Sequence, residues 1–229
     1  IKAPIAKKSA IPKTKKTTPV KKDTPKKNHK IPHSTAASPI EKSVHKKKSH
    51  KKSLRSAPEF PTTTWGTDSI IGFEATDILL PPELTSIAGG FVFHGDSVVL
   101  ANIPGRGWEI IGGRIDLGET PVDTFRRETM RQIGVSLSHI QMIGIIRIEH
   151  LGPEPPNCLY PFPIGYGVQY IGIVDELLPF NGSEESLGRS LISYEGFKEH
   201  YYDWNEYFEA VFNYAYTIYK KLLKKLKPQ

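Results

Sequence analysis

The sequence predicts an α/β domain, an α/β/α sandwich in which helices cover both faces of a mixed sheet, preceded by a disordered basic tail. Three observations support this fold class. Positive charge is concentrated in residues 1–60. Apolar runs with the character of strands begin after Trp65. Two amphipathic helical segments follow such runs, one in the middle of the chain and one at its end, and this order indicates a sheet covered by helices.

Residues 1–60 form the predicted tail. They contain 18 Lys and Arg and three acidic residues, a formal charge of +15, whereas the 13 bases and 21 acids that follow give −8. Proline recurs through the tail and interrupts helices. The segment has few large apolar side chains, so burial cannot offset an ordering cost of roughly 1–2 kcal/mol per residue. We therefore predict disorder over 1–60 and a folded domain over 66–227.

The charge of the tail indicates a polyanionic partner. Lysines that neutralise phosphates release counterions, which favours non-specific, salt-sensitive binding to nucleic acid or to the ribosome. Residues 1–59 contain no aromatic side chain for base stacking, so base readout is not expected. There are two alternatives: the tail is only a solvated segment without a partner, or it binds an anionic membrane surface. In a eukaryote, Lys46–Lys52 would also serve as a nuclear address.

Cysteine usage and hydropathy bear on the compartment. Cys158 is the only cysteine, which excludes an intramolecular disulfide and is typical of a reducing compartment. No stretch approaches the roughly 20 apolar residues that a membrane-spanning helix needs. We expect a cytoplasmic protein without a transmembrane segment, or a nuclear one if the source is eukaryotic.

The strands are predicted from apolar runs bounded by turn residues. Residues 87–93 and 97–101 form two strands joined by a turn at His94-Gly95-Asp96. A glycine-punctuated loop follows over 105–113. Two further strands are expected at 140–149 and 167–177, separated by a proline-rich loop.

Two helices are predicted from their caps and apolar stripes. Thr120 supplies a capping hydroxyl, Pro121 the first helical position and Gly134 the stop. The second helix covers about 203–225, with Asp203 and Glu206 as a capping box.

The segment Gly113–Val135 reads GRIDLGETPVDTFRRETMRQIGV. Five residues separate Gly113 from Glu119, seven more lead to Arg127-Glu128, and Gly134-Val135 ends the motif in register. This spacing resembles the signature of the Nudix family, G-x5-E-x7-R-E-U-x-E-E-x-G-U, where U is apolar. The resemblance implies a Nudix-like fold and hydrolysis of a nucleoside-diphosphate-linked substrate, either a phosphoanhydride or a nucleotide sugar.

The resemblance also implies site residues and a cofactor. Glu128, Arg127 and Glu119 are the candidate catalytic residues. Gly113, Glu128, Glu119 and Gln132 are the candidate ligands of Mg²⁺ or Mn²⁺. The chemistry fits these residue types, because a hard divalent cation takes oxygen ligands and neutralises charge on phosphate oxygens.

The motif departs from the family where two adjacent glutamates normally bind the metal. Here these positions hold Arg131 and Gln132. An arginine cannot ligate a cation, and a glutamine is a weaker, neutral ligand, so weak metal binding is expected. Acids outside these positions are candidates to supplement the site: Asp116, Asp123, Glu184 and Glu185. The GDP-mannose hydrolase branch is similar in its Thr-Met-x-x-x-Gly stretch and works with a reduced box.

Three interpretations follow. In the first, the domain is a hydrolase with a reduced metal site. In the second, Arg131 binds phosphate directly without turnover, because a guanidinium suits phosphate geometry. In the third, the box is retained only as a scaffold.

Single residues have plainer interpretations too. Glu119 would complement the helix N-terminus, and Glu128 with Arg131 would form an ordinary surface pair. Trp108 and Tyr166 are candidates for stacking on a base, although aromatic residues near strand ends more often belong to the core.

Overall fold

A computed structural model describes residues 58–154, 156, 158 and 160–226 of the chain. Most of the predicted tail, residues 1–57, lies outside the described residues. None of the helices in these ranges combines the length and the apolar composition that crossing a bilayer requires.

The described residues form a nine-stranded mixed sheet, three α-helices and one short 3-10 helix, Pro82–Leu84. The strands are β1 (Thr62–Trp65), β2 (Ser69–Glu74), β3 (Thr85–His94), β4 (Ser97–Ile103), β5 (Gly107–Glu109), β6 (Ile111–Arg114), β7 (Val135–His150), β8 (Ile164–Leu177) and β9 (Arg189–Ser193). The helices are α1 (Pro121–Ile133), α2 (Phe197–His200) and α3 (Glu206–Leu226). The main path of the sheet runs β1-β2-β7-β8-β3-β4-β5, with β6 on β3 and β9 on β4. Among the paired strands of the described residues, only β3 and β8 are parallel, so the sheet is mixed, as predicted.

Because side chains alternate along the strands, the hydrophobic core is divided into two clusters, one on each face of the sheet. Phe91 and Phe93 pack in one cluster with α3, while Ala88 and Val92 pack in a second cluster with α1. Successive strand side chains point to opposite faces, so a single strand serves both layers. The predicted α/β/α sandwich is confirmed: we call the two sides of the sheet the α1 face and the α3 face.

The predicted hairpin and first helix are confirmed. β3 and β4 are antiparallel and meet at His94 and Ser97. The Thr120 hydroxyl accepts from the Asp123 amide at 3.3 Å. Gly134 ends α1 in the left-handed conformation at φ 60°, where a side chain would be strained.

The structure corrects the prediction at several places. β5 and β6 replace the loop expected over 105–113. The glycines there permit close strand packing, since a Cβ on Gly89 would lie 2.8 Å from the Gly112 Cα. β1, β2 and β9 were not predicted. β1 precedes residue 66, where the domain was expected to start, and it pairs with β2 from Thr62 onwards.

The cap of α3 also differs from the prediction. The Asn205 side-chain oxygen accepts from the amides of Tyr207 and Phe208 at 3.0 and 3.2 Å. The capping box at Asp203 and Glu206 is therefore wrong, because Asn205 immediately precedes the helix and takes that role.

Candidate functional site

The site is built on the loop from β6 to α1 and on the first three turns of α1. β6 pairs with β3, so Gly113 lies opposite Ala88. Gly118 has φ 86°, and this left-handed residue turns the chain back towards Thr120. The loop and the helix thereby bring Gly113, Glu119 and Glu128 to one place.

Glu119 and Arg127 form a two-pronged ion pair. The Arg127 Nε donates to Glu119 Oε1 at 2.6 Å and its Nη2 to Oε2 at 2.8 Å. Thr124 Oγ1 and the Asp116 amide also donate to Oε2, at 2.7 and 3.2 Å. The hydrogen bond from Arg127, followed by that from Thr124, lowers the pKa of Glu119 to about 2. Glu119 therefore fixes Arg127 in addition to lying near the start of the helix.

Glu128 is fully buried and its carboxylate is saturated with donors. Arg127 Nη1 and Arg131 Nη2 both donate to Oε1, the latter at 2.5 Å. Arg131 Nε and Gln132 Nε2 donate to Oε2, at 3.2 and 2.9 Å. A buried carboxylate needs such partners, because an unpaired charge in the interior is costly. The pair of Glu128 with Arg131 is thus more than a surface contact.

Gln132 joins the helix to β6. Its Nε2 donates to the Gly112 carbonyl at 2.9 Å, and its Oε1 accepts from the Gly112 amide at 3.4 Å. A Cβ at Gly113 would lie 2.5 Å from Glu128 Oε1. Glycine at 113 is therefore required for the carboxylate to sit against the strand.

Arg131 bridges two carboxylates. Besides Glu128, its Nη2 contacts Glu185 Oε2 at 3.0 Å, in the loop between β8 and β9. The Arg131 side chain is 44% exposed and that of Glu185 is 41% exposed. The hydrogen bond to Glu128 raises the pKa of Arg131, which remains a permanent cation at the surface of the site.

The residues present do not fit a divalent cation. Both oxygens of Glu128 face guanidinium or amide N–H groups, and a cation would meet like charge at Arg131. Gln132 directs its oxygen to a backbone amide. In the described ranges no group of three His, Cys, Asp or Glu side chains could hold a metal ion. Arginine and glutamine donors contact both oxygens of the one buried carboxylate at this place.

The structure brings most of the predicted site residues together. The box residues Gly113, Glu119, Arg127, Glu128, Arg131 and Gln132 form one connected network. Trp108 instead packs against the α3-face cluster, where its carbonyl accepts from the Tyr202 amide at 3.0 Å. Tyr166 lies on β8, half-buried, opposite Arg147 and Thr85. Among the described residues, no hydrogen bond or ion pair joins either side chain to the network, and base stacking on them stays a prediction.

Three of the four supplementary acids have other partners, and the fourth, Glu184, is exposed. Glu185 pairs with Arg131, Asp116 Oδ2 lies 3.5 Å from Arg127 Nη2, and Asp123 bonds the capping hydroxyl of Thr120.

Arg189 supports the site, and the sequence alone did not reveal it. Its guanidinium donates to the carbonyls of Ile133, Gly134 and Leu178 at 2.7 to 3.0 Å. A cation at a helix C-terminus satisfies free carbonyls and complements the dipole. Arg189 thereby joins the end of α1 to the end of β8. An isolated arginine carries no sequence signal for this role.

The fold and the network define an α/β/α domain whose carboxylate site is occupied by arginine. The model of the NUDIX domain matches residues 83–160. Residues 83–160 thus match the family whose signature the spacing of the box resembles.

Solved structures of Nudix proteins are similar to the chain. A mutant of the Bacillus subtilis pyrophosphohydrolase BsRppH is 14% identical, with a TM-score of 0.53, over 67% of this chain and 91% of that one. A C. elegans Ap4A hydrolase in a binary complex is 13% identical, with a TM-score of 0.44, over 60% and 98%. The similarity to the BsRppH structure supports the Nudix-like fold. A search of curated protein sequences finds no significant match.

Proposed function

We propose that residues 62–226 bind the phosphate groups of a nucleotide-type ligand directly, with Arg131 supplying the positive charge that a divalent cation supplies in a hydrolase. The observation that carries this proposal is the Arg131 guanidinium, which contacts the buried Glu128 and is still 44% exposed. Arginine recognises phosphate well because its planar donors match the oxygens in pairs.

Glu185 indicates where the phosphate would bind. Its carboxylate is an anion on the exposed side of Arg131, at 3.0 Å. Because both side chains are substantially exposed, this pair contributes at most about 1 kcal/mol. A ligand phosphate can therefore displace the exposed Glu185 from Arg131, while the buried Glu128 stays bound to the other side of the guanidinium.

A Mg²⁺- or Mn²⁺-dependent hydrolase with a reduced metal site is the second candidate. The ion pairs that join Glu119, Arg127 and Glu128 at the box positions favour this candidate, as does the likeness to a pyrophosphohydrolase. In this candidate, Glu128 and Gln132 would bind the metal with the Gly113 carbonyl. Arg131 would first have to leave Glu128, which its hydrogen bonds at 2.5 and 3.2 Å oppose.

Calorimetric titration separates the two candidates. We expect inorganic pyrophosphate and nucleoside-diphosphate sugars to bind with a chelator present, and Arg131→Met to abolish this binding. Glu185→Gln should tighten it up to about fivefold, since it removes the competing carboxylate. Glu184→Gln is the matched control, because Glu184 is an exposed neighbour with the same charge. Metal-dependent turnover of these ligands that Glu128→Gln abolishes would establish the hydrolase instead.

We further propose that the tail brings the domain to nucleic acid or to the ribosome. The formal charge of +15 over residues 1–60 supports this, against −8 for the remainder. Removing residues 1–59 should abolish retention on RNA or DNA at low salt, because the counterion-release term is lost with the lysines. Retention that persists after this truncation would refute the assignment.

A further inference from the structure

Exposed lysines are concentrated in the last two turns of α3. We call them the α3 lysines: Lys220, Lys221, Lys224 and Lys225. From the first to the last of them the helix advances about 7.5 Å, at about 1.5 Å per residue. With 3.6 residues per turn, they project from the side of α3 opposite to the buried Ala215 and Tyr219. Four cations are therefore presented to solvent on one short stretch of helix.

The α3 lysines contrast with the charge of the rest of the domain. The residues after 60 have a formal charge of −8. Lys220 Nζ contacts Asp96 Oδ1 at 3.3 Å, and the Asp96 side chain is 87% exposed. Within the part of the chain that the structure describes, no salt bridge joins Lys221, Lys224 or Lys225 to a carboxylate. These three cations are available to an anionic partner.

Stabilisation of the helix explains only some of the α3 lysines. A cation near the C-terminus of a helix complements the dipole, and this effect falls off within the last turn. Lys224 and Lys225 lie in the last turn of α3. Lys220 and Lys221 lie a turn earlier, where the dipole no longer favours a cation strongly. The concentration of charge over two turns therefore indicates a second role.

The chain that continues into the basic tail joins the domain beside α3. The Phe60 ring packs edge-to-face against Tyr214 on α3, with ring centroids 5.4 Å apart. Lys221 follows Tyr214 by seven residues, so it lies two turns later on the same side of the helix, about 10 Å along the axis. Residues 1–57 are thus connected to the domain on the side of α3 that carries Lys221.

The surroundings of α3 favour a nucleic acid over a membrane as the partner. A helix that binds in a membrane interface inserts its apolar face among the lipids. The apolar side of α3 is buried in the domain, where Val211, Phe212, Ala215 and Tyr219 pack in the α3-face cluster. Only the lysine side is free. A DNA duplex carries one negative charge per about 1.7 Å, so the 7.5 Å that the α3 lysines span faces about four phosphates.

We propose that the α3 lysines bind the phosphate backbone of a nucleic acid and form a second contact beside the tail. This inference rests on the proposed role of the tail. The tail supplies the first contact and raises the effective concentration of phosphates at α3. On a domain with a formal charge of −8, four lysines alone are too few to retain a polyanion, so removal of the tail is still expected to abolish retention.

The contact would also orient the domain. α1 and α3 pack on opposite faces of the sheet. A nucleic acid bound along α3 therefore leaves Arg131 on α1 facing solvent. Binding of a small phosphate ligand at Arg131 and binding of the polyanion at α3 should then be independent of each other.

The test is a fluorescence anisotropy titration of the full chain with a labelled random-sequence DNA duplex, at salt concentrations from about 50 to 200 mM. One variant replaces all four α3 lysines with glutamine. Each lost phosphate contact lowers the slope of log K against log salt by about 0.9 in magnitude, so we expect the slope to fall by about 3 to 4. Thermal unfolding checks that the variant is folded.

Two controls isolate the position of the charge. Replacing the four α3 lysines with arginine keeps the cations and should keep the slope. Lys221→Gln alone should lower the slope by about 0.9. Lys198→Gln is the matched single variant, because Lys198 is an exposed lysine on α2, and it should leave the slope unchanged.

The outcomes separate this inference from the proposed role of the tail. A glutamine variant with the slope of the wild type would overturn the contact at α3, and loss of binding on removal of residues 1–59 would then still support the tail. A reduced slope, together with equal binding by the full chain and the chain without residues 1–59, would support the α3 lysines and refute the tail. Tighter binding to phosphatidylserine vesicles than to the duplex, with the same dependence on the α3 lysines, would overturn the assignment to nucleic acid.

Discussion

Replacing Arg127 with alanine is expected to lower the free energy of unfolding by about 3 kcal/mol. Arg127 is the link between two carboxylates, since it binds Glu119 through two nitrogens and Glu128 through a third. Its removal leaves the fully buried Glu128 with fewer charged donors. Breaking a buried pair costs more than the pair contributes, because the remaining charge stays desolvated.

This loss corresponds to a fall in Tm of about 6–12 °C for a domain of this size. Thermal unfolding of the two proteins at neutral pH measures it. Arg147→Ala is the matched control, because Arg147 and Glu149 form a salt bridge with both side chains 43% exposed. Exposed pairs contribute at most about 1 kcal/mol. A decrease for Arg127→Ala no larger than for Arg147→Ala would contradict the buried network.

The difference between the wild type and Arg127→Ala should also depend on pH. Arg127 holds the pKa of Glu119 at about 2, below its ordinary value of 4.5. A lowered folded-state pKa gives stability that is present above the unfolded-state value and is lost as the pH falls through the folded-state value. The part of the difference that comes from Glu119 should therefore be constant above about pH 5 and shrink towards pH 2.

The spacing of the box predicted the local structure of the site because that structure is set by short-range chemistry. Thr120, Pro121 and Gly134 determine where α1 begins and ends, and the helical period then places Glu128, Arg131 and Gln132 on one side. These relations depend on residues close in the sequence. The prediction of α1 and of the contacts among Glu128, Arg131 and Gln132 is therefore correct.

The remaining features depend on contacts between distant segments. The burial of Glu128 requires Gly113 on β6 to approach α1, and the second partner of Arg131 comes from Glu185, beyond β8. The same limit applies to β9, whose five residues carry little pattern of their own. Periodicity identifies elements, whereas these contacts follow from the order of strands in the sheet.

The double substitution Arg131→Glu with Gln132→Glu should convert the site to one that binds a divalent cation. It places carboxylates at the two positions where the Nudix signature has adjacent glutamates, next to Glu128. Without metal, clustered negative charge should destabilise the variant, because like charges at a buried site repel strongly. With free Mg²⁺ a hundredfold above its Kd, binding to the folded state should return about 2.7 kcal/mol.

Thermal unfolding with chelator and with Mg²⁺ measures this change. The Tm of the double variant should rise with Mg²⁺, while that of the wild type should not respond, since Arg131 already neutralises Glu128. Arg131→Gln alone is the matched control: it removes the cation without adding a carboxylate and should gain no comparable response. A Mg²⁺-dependent Tm in the wild type that the double substitution leaves unchanged would mean that the native site already binds the metal. In that case, Arg131 would have to move away from Glu128 during binding, and the hydrolase candidate would replace the direct recognition of phosphate by arginine.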